Sequence, residues 1–212
     1  MLRTAPIPRS GGRTEDIKKD FSPDQLQSIG AIAMAWNDVE HTLNCLLYSG
    51  LNLSGSSWVD ILSRLTIDAK IELVFSAEET LYFPAQLRDI IQHTVESTKE
   101  LKLLRNSVVH ARIYDAATGV GENVKRGGKI SQVLLVEPAL DNLYRRLVIL
   151  RGELRSVVAI FDLLKSDIMN VLQGGKTWDQ LIAGEQVSHW LDNLKQLQSE
   201  QLKLYKSMPS FD

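Results

Sequence analysis

The sequence predicts an all-α fold, an antiparallel helical bundle carrying a small β-hairpin or flap, and three observations predict it. Apolar residues recur at steps of three and four through most of the chain from residue 22 onward, the period of one face of a helix. The breaks in that rhythm fall at helix punctuation: Pro23, Gly50, Pro84, Pro138 and Gly174-Gly175. The only stretch with a different period, 113–137, is glycine-rich with β-prone pieces. At 212 residues, 44% hydrophobic and 24% charged, the chain has the composition of a globular protein with one substantial core.

Residues 1–21 are rich in Arg, Lys, Gly, Pro and Ser without periodicity and read as a flexible tail. Ser22-Pro23-Asp24-Gln25 then combines an N-cap, a proline at the first helical position and a glutamine placed to complete a capping box. The helix it opens carries Leu26, Ile29, Ala33, Trp36, Val39 or Glu40, Leu43 and Leu46 or Leu47 at three- and four-residue steps and closes at Gly50. Leu51 to Ser56 reads as a loop. A short helix around Trp58–Leu65 and another over Ile67–Tyr82 follow, the second capped by Thr66 or Asp68.

Pro84 marks a fresh start. Leu87, Ile90 or Ile91, Val95, Leu101, Leu104 and Val108 fit one long helix to about Arg112, with Glu96–Glu100 polar enough to be solvated. Arg112-Ile113-Tyr114 and Lys129–Val136 are the β-prone pieces of the hairpin. Gly119-Val120-Gly121 lacks the context of a phosphate loop and reads as turn chemistry. Pro138 opens a second long helix with a heptad set: Leu143, Leu147, Leu150, Leu154, Val157, Phe161, Leu164, Ile168 and Val171. A last helix over Glu185–Tyr205 repeats the spacing at Val187, Trp190, Leu194, Leu197 and Leu204, interrupted by Gln201, and serves either the bundle or a dimer. The domain reading is a tail over 1–21, a helical domain over 22–173 and a C-terminal helical extension over 174–212.

Charge and cysteine content narrow the function classes. A net charge of -2 excludes a uniformly basic nucleic-acid binder, but residues 101–160 hold ten basic against five acidic side chains, a local +5 balanced by -7 elsewhere. The single Cys45 permits no intramolecular disulfide, suits a reducing cytoplasm and reads as a small buried hydrophobe. No signal peptide or apolar membrane span is expected, so the protein reads as cytoplasmic.

Chemistry concentrates at Leu104-Arg105-Asn106-Ser107-Val108-Val109-His110, late in the Pro84 helix. Arginine is a permanently charged fork suited to phosphate, and histidine transfers protons near neutrality. A helix puts Asn106 and His110 on one face and separates Arg105 from His110 by about 140 degrees, so one copy alone presents a poor site. A competing reading pairs Arg105 with Glu100 and leaves His110 as a helix C-cap. Glu40, four residues after Trp36, is assigned no role. His41, His93 and His189 read as solvated helix surface, and His93 with Glu96 and Glu100 is a weak metal site.

The arginine, polar residue, three-residue spacer and histidine at Arg105, Asn106 and His110 resemble the signature of the HEPN superfamily. The resemblance implies a helical domain over roughly 23–172 and a metal-independent endoribonuclease, needing no cofactor, in which Arg105 and His110 are catalytic and Asn106 orients the histidine or the substrate. It also implies a homodimer with motif helices at the interface, RNA as substrate, and a toxin or defence role with a possible antitoxin protein as partner. The alternative is a non-catalytic helical module that binds RNA, a nucleotide or a protein partner, and a third reading is a dimerisation domain alone.

Overall fold

The computed structural model describes residues 21–50, 57–80, 83–115, 119–124, 130–165, 173–175 and 177–207. The elements run α1 (Pro23–Gly50), α2 (Ser57–Arg64), α3 (Ile67–Thr80), α4 (Ala85–Val109), β1 (Arg112–Asp115), β2 (Val120–Val124), β3 (Ile130–Leu134), α5 (Glu137–Lys165), α6 (Trp178–Ile182) and α7 (Glu185–Lys206). The fold is the expected all-α bundle with a small sheet.

Its helix starts follow the capping chemistry. At α1 the Gln25 N–H donates to Ser22 Oγ at 3.1 Å and Ser22 N–H to Gln25 Oε1 at 2.9 Å, the reciprocal capping box. Thr66, rather than Asp68, caps α3 by accepting from the Ala69 N–H. Pro84 is the extended N-cap of α4. The sequence reading contained no α6, yet Thr177 and Gln180 form a second complete capping box there.

The core is built on α1 against α5. The heptad residues Leu143, Leu147, Leu150, Leu154, Val157, Phe161 and Leu164 are all buried, while Ile168 and Val171 lie outside the described residues. On α1 the buried stripe runs through Ile32, Ala35, Trp36, Val39 and Leu43, so Ile32, not Ala33, is the fully buried residue of its third turn. The expected stripe of α4 is buried apart from Leu104, which is half-buried. The last helix packs as a bundle member: α7 lies on α5 and sends Val187, Leu191 and Leu194 into the same core. Leu191, rather than Trp190, occupies the buried step.

The hairpin gains a middle strand. The sheet is a three-stranded antiparallel meander in the order β1-β2-β3, with Arg112 opposite Glu122, Val120 opposite Leu134 and a bulge between Ile113 and Asp115. Gly119, at φ +67°, turns the chain into β2, and its carbonyl accepts from Leu135 N–H at 2.6 Å. Leu135 O in turn accepts from Gln25 Nε2 at 2.9 Å, tying the exit of the sheet to the first turn of α1. The meander therefore follows directly on the motif end of α4 and is held against the bundle at its far side.

Two expectations about polarity change. Glu96 and Lys99 are exposed, but Ser97 and Thr98 within that segment are buried, and Gln198 of α7 reaches the same helix at Ile90 O. Cys45 is half-buried rather than buried, with Sγ 3.8 Å from His41 Nε2 one turn back.

Candidate functional site

Arg105 and Asn106 occupy the last turns of α4, and His110 is the residue immediately beyond it. The Asn106 side-chain Oδ1 accepts from Arg105 Nη1 at 2.9 Å, and its backbone carbonyl accepts from the His110 N–H at 3.1 Å. The side-chain amide thus holds the guanidinium, while the second bond is the ordinary closing bond of the helix.

The guanidinium has a second support that the sequence reading missed. Trp36, buried on α1, lies under it, with the Arg105 Cζ 6.0 Å from the ring centroid, at the outer reach of a cation–π contact. The indole N–H of Trp36 donates to Glu40 Oε1, one turn on along α1. A carboxylate is therefore fixed beside the tryptophan that carries the arginine, and Glu40, given no role from sequence, is the hydrogen-bond partner of that tryptophan. The available signal was the Trp36–Glu40 spacing of one helical turn, which lets the two side chains meet.

The competing assignment of Arg105 fails on geometry. Glu100 is taken by Arg146 of α5, with Arg146 Nη2 to Glu100 Oε1 at 2.9 Å. Arg105 Nε is buried and reaches no acceptor. The helix-capping reading of His110 holds for its backbone: it is the C-cap, with its N–H turned back onto the last turn. Its side chain is exposed. Leu103, 65% exposed, precedes Ser107 and His110 on the same face of α4, so the face carrying the histidine has an apolar centre in solvent.

The electrostatics differ from the expected basic segment. Of its ten cations, Lys102 meets Asp68 at 2.5 Å, Arg145 meets Asp141 at 2.8 Å, Arg146 meets Glu100, and Arg151 meets Asp38 at 2.6 Å. Among the described residues, carboxylates thus pair with four of these cations. Asp68, Glu100 and Asp38 come from α3, α4 and α1 across space, whereas Asp141 lies one turn from Arg145 on α5 and is already among the five acids of the segment.

Among the described residues no group of three or more His, Cys, Asp or Glu side chains is placed to hold a metal ion, and no helix is long and apolar enough to cross a membrane. His93 lines a surface cavity with Glu100 and Arg146, and His189 stacks edge-on to Trp190, ring centroids 5.8 Å apart. Compared with known proteins, the chain matches no family model, no curated protein and no solved structure.

Proposed function

We propose that the chain is a metal-independent endoribonuclease of HEPN type, acting as a homodimer on RNA. The observation that carries the reading is the Arg105–Asn106–His110 unit, with its arginine seated on Trp36, its Nε unmatched, and its histidine side chain exposed at the helix end. His110 of one protomer takes the proton from a ribose 2'-hydroxyl as that oxygen bonds to phosphorus. Arg105 stabilises the charge gathered on the phosphorane-like transition state, and a second His110 or water protonates the departing 5'-oxygen. The products are a 2',3'-cyclic phosphate end and a 5'-hydroxyl end. The route needs no metal, and it requires the 2'-hydroxyl, so DNA is not cut.

Two features support the dimer. Arg105 is turned toward α1 while His110 is beyond the helix end and in solvent, so one copy does not present the two to the same phosphate. Leu103 supplies an apolar contact on the His110 face, which a second copy of α4 would cover. The same exposed leucine suits the alternative of a silent module that binds a protein partner, and a toxin role with an antitoxin belongs to the first reading only if cleavage is found.

Mixing two variants tests the shared site. Arg105→Ala and His110→Ala homodimers are each expected to be inactive. After exchange of protomers, a heterodimer carries one site with both groups lost and one with both intact, so cleavage returns. Two inactive variants that exchange protomers yet stay inactive would contradict a site built across the twofold axis.

A further inference from the structure

Where α4, α5 and α7 meet, the bundle contains a carboxyl group with no access to water. Glu153 on α5 is 0% exposed, and neither of its oxygens receives a hydrogen bond of acceptable geometry. The neighbouring hydroxyl on α4, Thr94, donates to Ile90 O at 3.2 Å. A buried carboxylate with neither water nor a full set of donors is disfavoured, whereas the neutral acid carries no charge to solvate. Burial pushes the Glu153 pKa up to about 8, a rise that Thr94 and Arg146 only partly offset.

The element over this seam is α7, and its two halves are held differently. Val187, Leu191 and Leu194 anchor the first half in the core. The second half is held chiefly by polar contacts: Gln198 Nε2 to Ile90 O at 3.5 Å, Gln201 Nε2 to Arg146 O at 3.4 Å, and Leu204 O from Asn142 Nδ2 at 2.9 Å. Its approach to α5 is close beside the glutamate, since a Cβ on Gly152 would stand 3.1 Å from Leu197 Cδ1. The charged and titratable groups around the seam are Arg146 on α5, His93 and Glu100 on α4, and Tyr205 on α7, whose ring lies 5.3 Å from the Arg146 Cζ. Arg146 is already engaged with Glu100.

We infer that Glu153 is a proton-controlled latch for the C-terminal half of α7: protonated, it lets Gln198–Lys206 close over the seam, and ionised, it drives that half-helix off so that water reaches the carboxylate. The first half of α7 stays anchored, and lifting the second opens the cavity of about 200 Å³ lined by Arg146, Gln201 and Tyr205.

The sign of the effect follows from linkage. The closed state holds its proton up to about pH 8, whereas the opened, wetted carboxyl has the ordinary value of 4.5. Closure is therefore fully favoured below about pH 4.5, and the opening equilibrium rises about tenfold per pH unit until about pH 8 and is level beyond it. Hydrogen exchange of full-length protein from pH 6 to 9.5, each rate divided by that of an unstructured peptide at the same pH, reads this directly. Protection of amides in 198–206 is expected to fall about a hundredfold from pH 6 to 8 and then level, while α1 is unaffected and Glu153→Gln shows no such slope. An equal slope in Glu153→Gln, or an equal loss in α1, would overturn the latch. Should Glu153→Gln not fold, the infrared band of a protonated carboxyl in wild-type protein decides: its presence at pH 7 and loss near pH 8 supports the proposal, and its absence at pH 7 overturns it.

Discussion

Replacing Arg105 with methionine separates an arginine held for chemistry from one held for stability. Methionine keeps the length of the apolar stem and its contact with Trp36, and sulfur–aromatic contacts contribute about 0.3–1.5 kcal/mol. The losses are one charge-assisted hydrogen bond to Asn106, about 1.5–3 kcal/mol, and the cation–π contact, about 0.5–2 kcal/mol. Against these stands the removal of a buried Nε–H without an acceptor, which relieves about 1–3 kcal/mol. The terms nearly offset one another, so Arg105→Met is expected to shift unfolding free energy by no more than about 1 kcal/mol. Urea unfolding followed by circular dichroism measures it, with RNA cleavage assayed on the same preparation. Unchanged stability with cleavage reduced by about a hundredfold or more is the expected pair of results. A loss of about 3 kcal/mol or more would refute the argument, because the guanidinium would then be part of the structural core.

Two further substitutions test the account of the fold. Gly119 and Gly174 both have positive φ, +67° and +78°, but a Cβ at Gly119 would stand 2.8 Å from Val136 Cγ1 whereas one at Gly174 would meet nothing within 4 Å. Alanine at Gly174 is expected to cost about 1 kcal/mol of backbone strain, and alanine at Gly119 about 1 kcal/mol more, since the second also displaces Val136; matched thermal melts compare them. Leu147→Ala removes a side chain that is 0% exposed between α1 and α5 and is expected to cost about 2–5 kcal/mol by urea unfolding, the range for a buried leucine in a core that cannot collapse around the void.

The elements written in local chemistry were legible before the structure. Ser22, Pro23 and Gln25 announce α1, Pro84 and Pro138 announce α4 and α5, and the heptad set of α5 marks its buried face without help from any other segment. What escaped depends on partners distant in sequence. β2, Val-Gly-Glu-Asn-Val, has a glycine and a charge among few β-formers and is a strand because both neighbours pair with it. Arg146 and Glu153 look like the solvated flank of a heptad helix, yet both are buried, Arg146 with Gln201 of α7 on its carbonyl and Glu153 beside Thr94 of α4. The motif residues were found where expected along α4, but their order of support was not readable. Trp36 had the signature of a core aromatic and is one, and its second task under Arg105 arises only where α1 passes α4. Counting charges along a chain takes no account of the carboxylates that α3, α4 and α1 bring onto Lys102, Arg146 and Arg151.

The central claim is that Arg105 and His110 cut RNA without a metal. Purified wild-type protein and His110→Ala, incubated in EDTA with end-labelled RNA and with a DNA of the same sequence, test it most directly when the chemistry of the new ends is read. Cleavage of the RNA alone, by wild type alone, leaving 2',3'-cyclic phosphate and 5'-hydroxyl ends, is the predicted result. Equal cutting by His110→Ala, or cutting of the DNA, would contradict the assignment.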